Sequence, residues 1–254
     1  RDLIVTGVQT CALPIWQCFS AVTADALTAL KHCLFDRHDI APEELLAALK
    51  NDFAGAEPLR RKQIALPKYG NGNDEVDQLA ARTAREFIAL MDRWSEPDNR
   101  LFVHLFTFQQ NIPFGHVVGA LPDGRHAGEP LAYSLSAHQG RDLAGVTAFL
   151  HSLGKMPHRE AAGASAAIIE LHPSLFGEGD APELLTRLIR GAVALGIGQM
   201  QWNVVSVEEL ERARKDPERF GNLPVRVAGY SQLFKLVDPE LQEHIIARYK
   251  HRAV

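Results

Sequence analysis

Residues 225 to 234 read VRVAGYSQLF, and the chain is best understood outward from them. Val225, Arg226 and Val227 set β-branched residues on either side of an arginine, the composition of a short strand. Ala228, Gly229, Tyr230 and Ser231 follow, and the glycine breaks the run. On pattern alone this is a strand end and a turn. The flanks are helical or extended rather than loop-like: QMQWNVVSVEELERARKDPERFGNLP precedes it and KLVDPELQEHIIARYKH follows.

Upstream, CFSAVTADALTALKHCLFD (18–36) places Val22, Ala26, Leu30, Cys33 and Leu34 at helical spacing, which predicts one amphipathic helix. APEELLAALKNDF (41–53) is a second helix, with Pro42 and two glutamates in its first turn. PKYGNGNDEVD (67–77) is a Gly/Asn loop feeding a helix from Asp74 to Trp94, with Asn73 or Asp74 as its cap. Its spacing does not fit an EF-hand loop. RLFVHLFTFQQ (100–110) reads as a buried strand, and LPDG within GHVVGALPDGRHAGEPL (115–131) as a turn. Arg125 is expected to pair with Asp123, with a hold on a substrate carboxylate as the other reading. Strands follow at 165–173 and 200–206, and helices at 182–196, 207–220 and 238–251, the last with Asp238 as cap and Pro239 at its first position. Helices alternating with single strands predict an α/β fold.

The 254 residues are 46% hydrophobic with a formal net charge of −4, so neither a nucleic-acid nor a membrane partner is expected. No apolar run approaches the ~18 residues of a membrane span. There is no CxxC pair or His/Cys cluster, so no metal site is expected. Cys11, Cys18 and Cys33 are the three cysteines, and a reduced, cytoplasmic setting follows from them. Cys33 reads as a small buried hydrophobe, and neither it nor Cys18 as a catalytic thiol. VTGVQTCALPI (5–15) resembles a common sequencing adapter read as protein, so residues 1–15 are expected to be non-native and the genuine protein to begin near Trp16.

Together, the 67–77, 115–131 and 132–156 blocks and the RVxGY pattern at 226–230 resemble the glycyl radical enzymes, the family of pyruvate formate-lyase and glycerol dehydratase. In that family the glycine of RVxGY carries a stable backbone radical, which here implies Gly229, within a loop motif of Arg226, Val227, Ala228, Tyr230 and Ser231. The chemistry needs glycine. A radical at an α-carbon is stabilised when the carbon flattens and the spin spreads into the adjoining amides, and a side chain there would clash. Departures from the family pattern fall at Tyr133, Ala137 and Val146.

The resemblance implies the C-terminal part of a ten-stranded α/β barrel with outer helices (16–125) and a glycyl radical domain (126–254). It implies a radical that passes to a cysteine upstream of this chain, for anaerobic lyase or dehydratase chemistry on a small molecule. No bound cofactor is implied. The radical is installed by an S-adenosylmethionine iron–sulfur activating enzyme, and the full-length parent is expected to be a homodimer, the fragment itself inactive. Alternatives are a pyruvate formate-lyase-type acyltransferase, an autonomous glycyl radical repair module, and a non-catalytic α/β domain.

Overall fold

The computed structural model describes residues 20–98, 101–107, 110–161, 165–177, 181–227 and 230–248. The adapter-like segment, Cys11, Cys18, Ala228 and Gly229 lie outside the described residues.

The first helix, α1 (Ser20–Leu30), runs directly into a π-helical stretch at Lys31–Asp36. Ala21, Val22, Ala24 and Ala29 are its buried apolar residues, so the buried face is broader than the expected stripe, and Ala26 and Leu30 are only partly covered. Cys33 lies in the π-helical stretch, fully buried with Ala29, Ile40, Leu45 and Leu66. Next come α2 (Pro42–Lys50), α3 (Glu57–Ile64) and α4 (Asp74–Trp94). α4 buries Val76, Ala80, Ala81, Ala84, Phe87 and Ile88 on one face, the spacing of a helix packed along one side. Asn73 caps it, its side chain accepting from the N–H groups of Glu75 and Val76. α3 has no apolar stripe, since only Gln63 is buried, and that is why periodicity does not find it.

The stretch expected as a strand at 100–110 makes a single parallel bridge, Leu105 to Ser165, among its described residues. Side chains replace the ladder. Thr107 N–H donates to Ser134 Oγ (2.9 Å), and Ser134 N–H donates to Thr107 Oγ1 (2.8 Å). Short hydroxyl side chains compete with strand pairing in this way. The helices α5 (Asn111–Val117) and α6 (Val146–Gly154) follow. α5 contains Pro113 and Gly115, which hide it from a sequence reading.

β1 (Ala166–Leu171) pairs in parallel with β2 (Gln199–Val204) across α7 (Ala181–Ala194), with Ala166 opposite Gln199 and Leu171 opposite Val204. All six residues of β1 are buried. Alternation sorts them: Ala167, Ile169 and Leu171 enter the large core with α1, α4 and α6, while Ile168 enters a second core with Val225, Val227 and Leu210. The charged helix expected at 207–220 is two, α8 (Val207–Lys215) and α9 (Pro217–Phe220). Pro217 has no N–H to continue α8, and Asp216 caps the new start through Arg219 N–H. The hairpin β3 (Pro224–Arg226) and β4 (Ser231–Leu233) and the helix α10 (Pro239–Ala247) complete the chain, with Asp238 capping α10 as expected.

The architecture is α/β: helices cover both faces of a short parallel pair. Among the described residues the strands form two two-stranded sheets.

Candidate radical hairpin

β3 and β4 pair antiparallel with Pro224 opposite Leu233, Val225 opposite Gln232 and Arg226 opposite Ser231. Val225 and Val227 are buried in the second core while Arg226 between them is partly exposed, the alternation a strand imposes. Val227 N–H donates to Tyr230 C=O at 2.9 Å, which closes the hairpin around the two residues between them. Tyr230 is about half exposed, at 47%. Arg226 reaches sideways: Nε donates to Gln201 Oε1 of β2 (3.3 Å) and Nη1 to Ser231 Oγ (3.4 Å). The expected motif residues Arg226, Val227, Tyr230 and Ser231 are thus brought together at one hairpin end, and Ala228 and Gly229 sit between them in sequence.

A residue that motif reading missed holds this end from behind. Arg248, just past α10, is buried against β1. Its Nη1 donates to Glu170 Oε1 (3.2 Å) and to the carbonyl of Arg226 (3.1 Å), and its Nη2 to the carbonyl of Val227 (3.1 Å). The guanidinium lies 5.5 Å from the Tyr133 ring centroid, a cation–π contact. Glu170 accepts at its other oxygen from Asn203 Nδ2 (2.9 Å). A buried arginine needs such a set, because an unpaired buried charge is costly. Only its place at the centre of IIARYKH (245–251) marks it in the sequence.

Cys33, the described cysteine, lies in the small core under α2, separate from the core that carries the hairpin. Burial pushes its thiol pKa up, as does nearby Asp39, so it is not an activated thiolate.

Arg125 corrects the expected ion pair. It is fully buried, and its guanidinium donates to four carbonyls: Val118 (3.3 Å), Gly119 (2.8 Å), Gly115 (2.8 Å) and Glu129. Asp123 instead accepts the backbone N–H of Arg125 (3.2 Å), a turn interaction. With its fork committed to backbone, Arg125 is structural, and the carboxylate-binding reading fails for the same reason. Gly124 in this turn has φ +92°, and an added Cβ would lie 2.6 Å from Ile64 of α3, so glycine is required. In the Gly/Asn loop, Asn71 Oδ1 accepts from the N–H groups of Leu143 and Ala144, so this oxygen staples two loops.

Among the described residues one His/Asp/Glu group, His32, Asp36 and Glu75, has ligand atoms close enough to share an ion. The Lys31 ammonium already bridges Asp36 (2.6 Å) and Glu75 (2.9 Å), which supplies the compensating charge. No described helix is long and apolar enough to cross a membrane.

Two family models match the chain: pyruvate formate lyase-like over residues 7–115, and glycine radical over residues 131–235. A probable dehydratase of Escherichia coli is 36% identical over 239 residues, covering 89% of this chain and 29% of that protein. An isethionate sulfite-lyase of Desulfovibrio desulfuricans is 34% identical, covering 89% of this chain and 28% of its own length. Among solved structures, the glycerol-bound B12-independent glycerol dehydratase of Clostridium butyricum superimposes with a TM-score of 0.87 at 35% identity, covering 92% of this chain and 30% of that one. The chain therefore spans under a third of the length of the relatives it matches.

Proposed function

The chain belongs to the glycyl radical enzyme family, and on that premise we propose that Gly229 stores a backbone radical for lyase or dehydratase chemistry on a small molecule. The observation that carries the reading is the hairpin: an RVAGY sequence whose described residues are hydrogen-bonded on both sides of Ala228 and Gly229. The chain is the C-terminal part of a longer enzyme, which its coverage of under a third of its relatives supports. A boundary near 125 between a barrel part (16–125) and a radical domain (126–254) is supported by the gap between the two matched regions, 115 to 131, whereas the first match begins at residue 7 and the start at 16 rests on the adapter-like sequence alone.

In this mechanism an S-adenosylmethionine iron–sulfur activating enzyme removes one hydrogen atom from the Gly229 α-carbon. The Gly229 radical then takes a hydrogen atom from a cysteine thiol supplied by the part of the enzyme upstream. The resulting thiyl radical takes a hydrogen atom from the substrate, the substrate radical expels its leaving group, and the product radical takes a hydrogen atom back from the thiol, after which the regenerated thiyl radical recovers its own from Gly229. Cys33 has no part in this. Relatives named as dehydratases and sulfite-lyases favour that branch over acyl transfer. The substrate is a small molecule, and the enzyme works as a cytoplasmic homodimer.

The test is anaerobic activation of the full-length enzyme. It should give an electron paramagnetic resonance doublet that Gly229→Ala abolishes. Air should then cut the chain at Gly229 and release a peptide beginning near Tyr230. A doublet that survives in Gly229→Ala would overturn the assignment.

A further inference from the structure

From the contacts of Arg248 we propose that this residue and Glu170 form a clamp that sets the peptide planes leading into Gly229, making Arg248 a positioning residue for the radical. The part that concerns the radical rests on the function proposed above. The clamp itself rests on geometry alone.

Successive carbonyls of a regular strand point to opposite sides. The carbonyls of Arg226 and Val227 are successive, yet both accept from one guanidinium, at 3.1 Å each. The backbone therefore leaves strand geometry at this point, and β3 ends at Arg226. A planar fork of donors suits this task, whereas an ammonium is a point charge with no fixed fork. The fork is itself held. Glu170 anchors one side, Asn203 anchors Glu170 (2.9 Å), and the Tyr133 ring lies against the guanidinium. Glu170 belongs to β1, which lies between the two cores, so the anchor is rigid. Val227 is consequently fixed at both ends, its N–H to Tyr230 and its C=O to Arg248. Spin on the Gly229 α-carbon is shared with the Ala228–Gly229 and Gly229–Tyr230 amides, and the clamp acts on them through the chain, by fixing the Val227 carbonyl one peptide unit before the first of them.

The test compares wild type, Arg248→Lys and the control Arg214→Lys in the full-length enzyme, Arg214 being bound to Glu211 and Glu243 on the surface. Before activation, amide hydrogen exchange of the 223–234 peptide should quicken by about tenfold in Arg248→Lys and stay at wild-type rate in Arg214→Lys. After activation, Arg248→Lys should give a severalfold smaller doublet. Should Arg248→Lys fail to fold, Glu170→Gln serves, with about threefold faster exchange expected, since the amide keeps a hydrogen bond and loses the charge. Unchanged exchange of 223–234 in the folded variant overturns the clamp. Faster exchange with a full-strength doublet overturns the positioning role. Absence of a doublet in wild type overturns the Gly229 reading while the exchange result still decides the clamp.

Discussion

His158 shows how single side chains here are set by partners distant in pattern but near in space. Its Nε2 faces the carbonyl of Leu153 (2.8 Å), which can only accept, so Nε2 carries the proton. Its Nδ1 therefore accepts from the Ser165 hydroxyl. Burial holds its pKa below the ordinary histidine value. Below about pH 6.5 the unfolded chain binds a proton that the folded one resists, so stability falls as pH drops and levels off past the folded-state pKa. One such site can contribute a slope of at most about 1.4 kcal/mol per pH unit, the limit set by a single proton. The thermal midpoint of the full-length enzyme should drop between pH 7.5 and 5.5, and His158→Gln should flatten that drop. An equal drop in variant and wild type would assign the effect elsewhere. None of this is legible in the sequence, where His158 is one of eleven scattered histidines.

Elements here are joined by buried polar groups as much as by apolar faces. Arg125 is the clearest case, tying the end of α5 to the loop at Glu129 through four carbonyls. Lysine has three donors and no planar fork, so it leaves at least one buried carbonyl unmet. Arg125→Lys should cost roughly 2–4 kcal/mol, the scale of losing charged hydrogen bonds and leaving acceptors unsatisfied. Denaturant titration measures it, and a variant within about 0.5 kcal/mol of wild type would show the guanidinium to be dispensable. The helices α2, α4, α7 and α10 were legible because their caps, prolines and apolar stripes are local signals. The strand expected at 100–110 was not correct in extent, because Thr107 and Ser134 take up backbone groups that a ladder would otherwise use.

At the scale of the whole molecule, β2 pairs only with β1 among the described residues, and Trp94, Val117 and Val193 are each more than 60% exposed. Unpaired edges and exposed apolar side chains favour association. Residues 16–254 expressed alone should therefore aggregate, and should show no lyase or dehydratase turnover under anaerobic conditions with an activating enzyme present. The proposed radical would also need a closed cavity that keeps out water and oxygen. Turnover by this stretch alone would overturn both the part-enzyme proposal and the joint exclusion of Cys18 and Cys33 as the catalytic thiol.

By itself the sequence determined the α/β class, most helices and the family, because RVAGY, PKYGNGNDEVD and GALPDGR are contiguous and their chemistry is local. It also placed Cys33 correctly in an apolar core. Only the tertiary structure decided that Arg125 binds backbone rather than Asp123, and that Arg248 reaches the hairpin across 21 or more residues of chain to meet Glu170, 78 residues away. The physical reason is common to both. A guanidinium buried away from water is satisfied by whichever acceptors the packing brings to it, and sequence spacing does not record which those are.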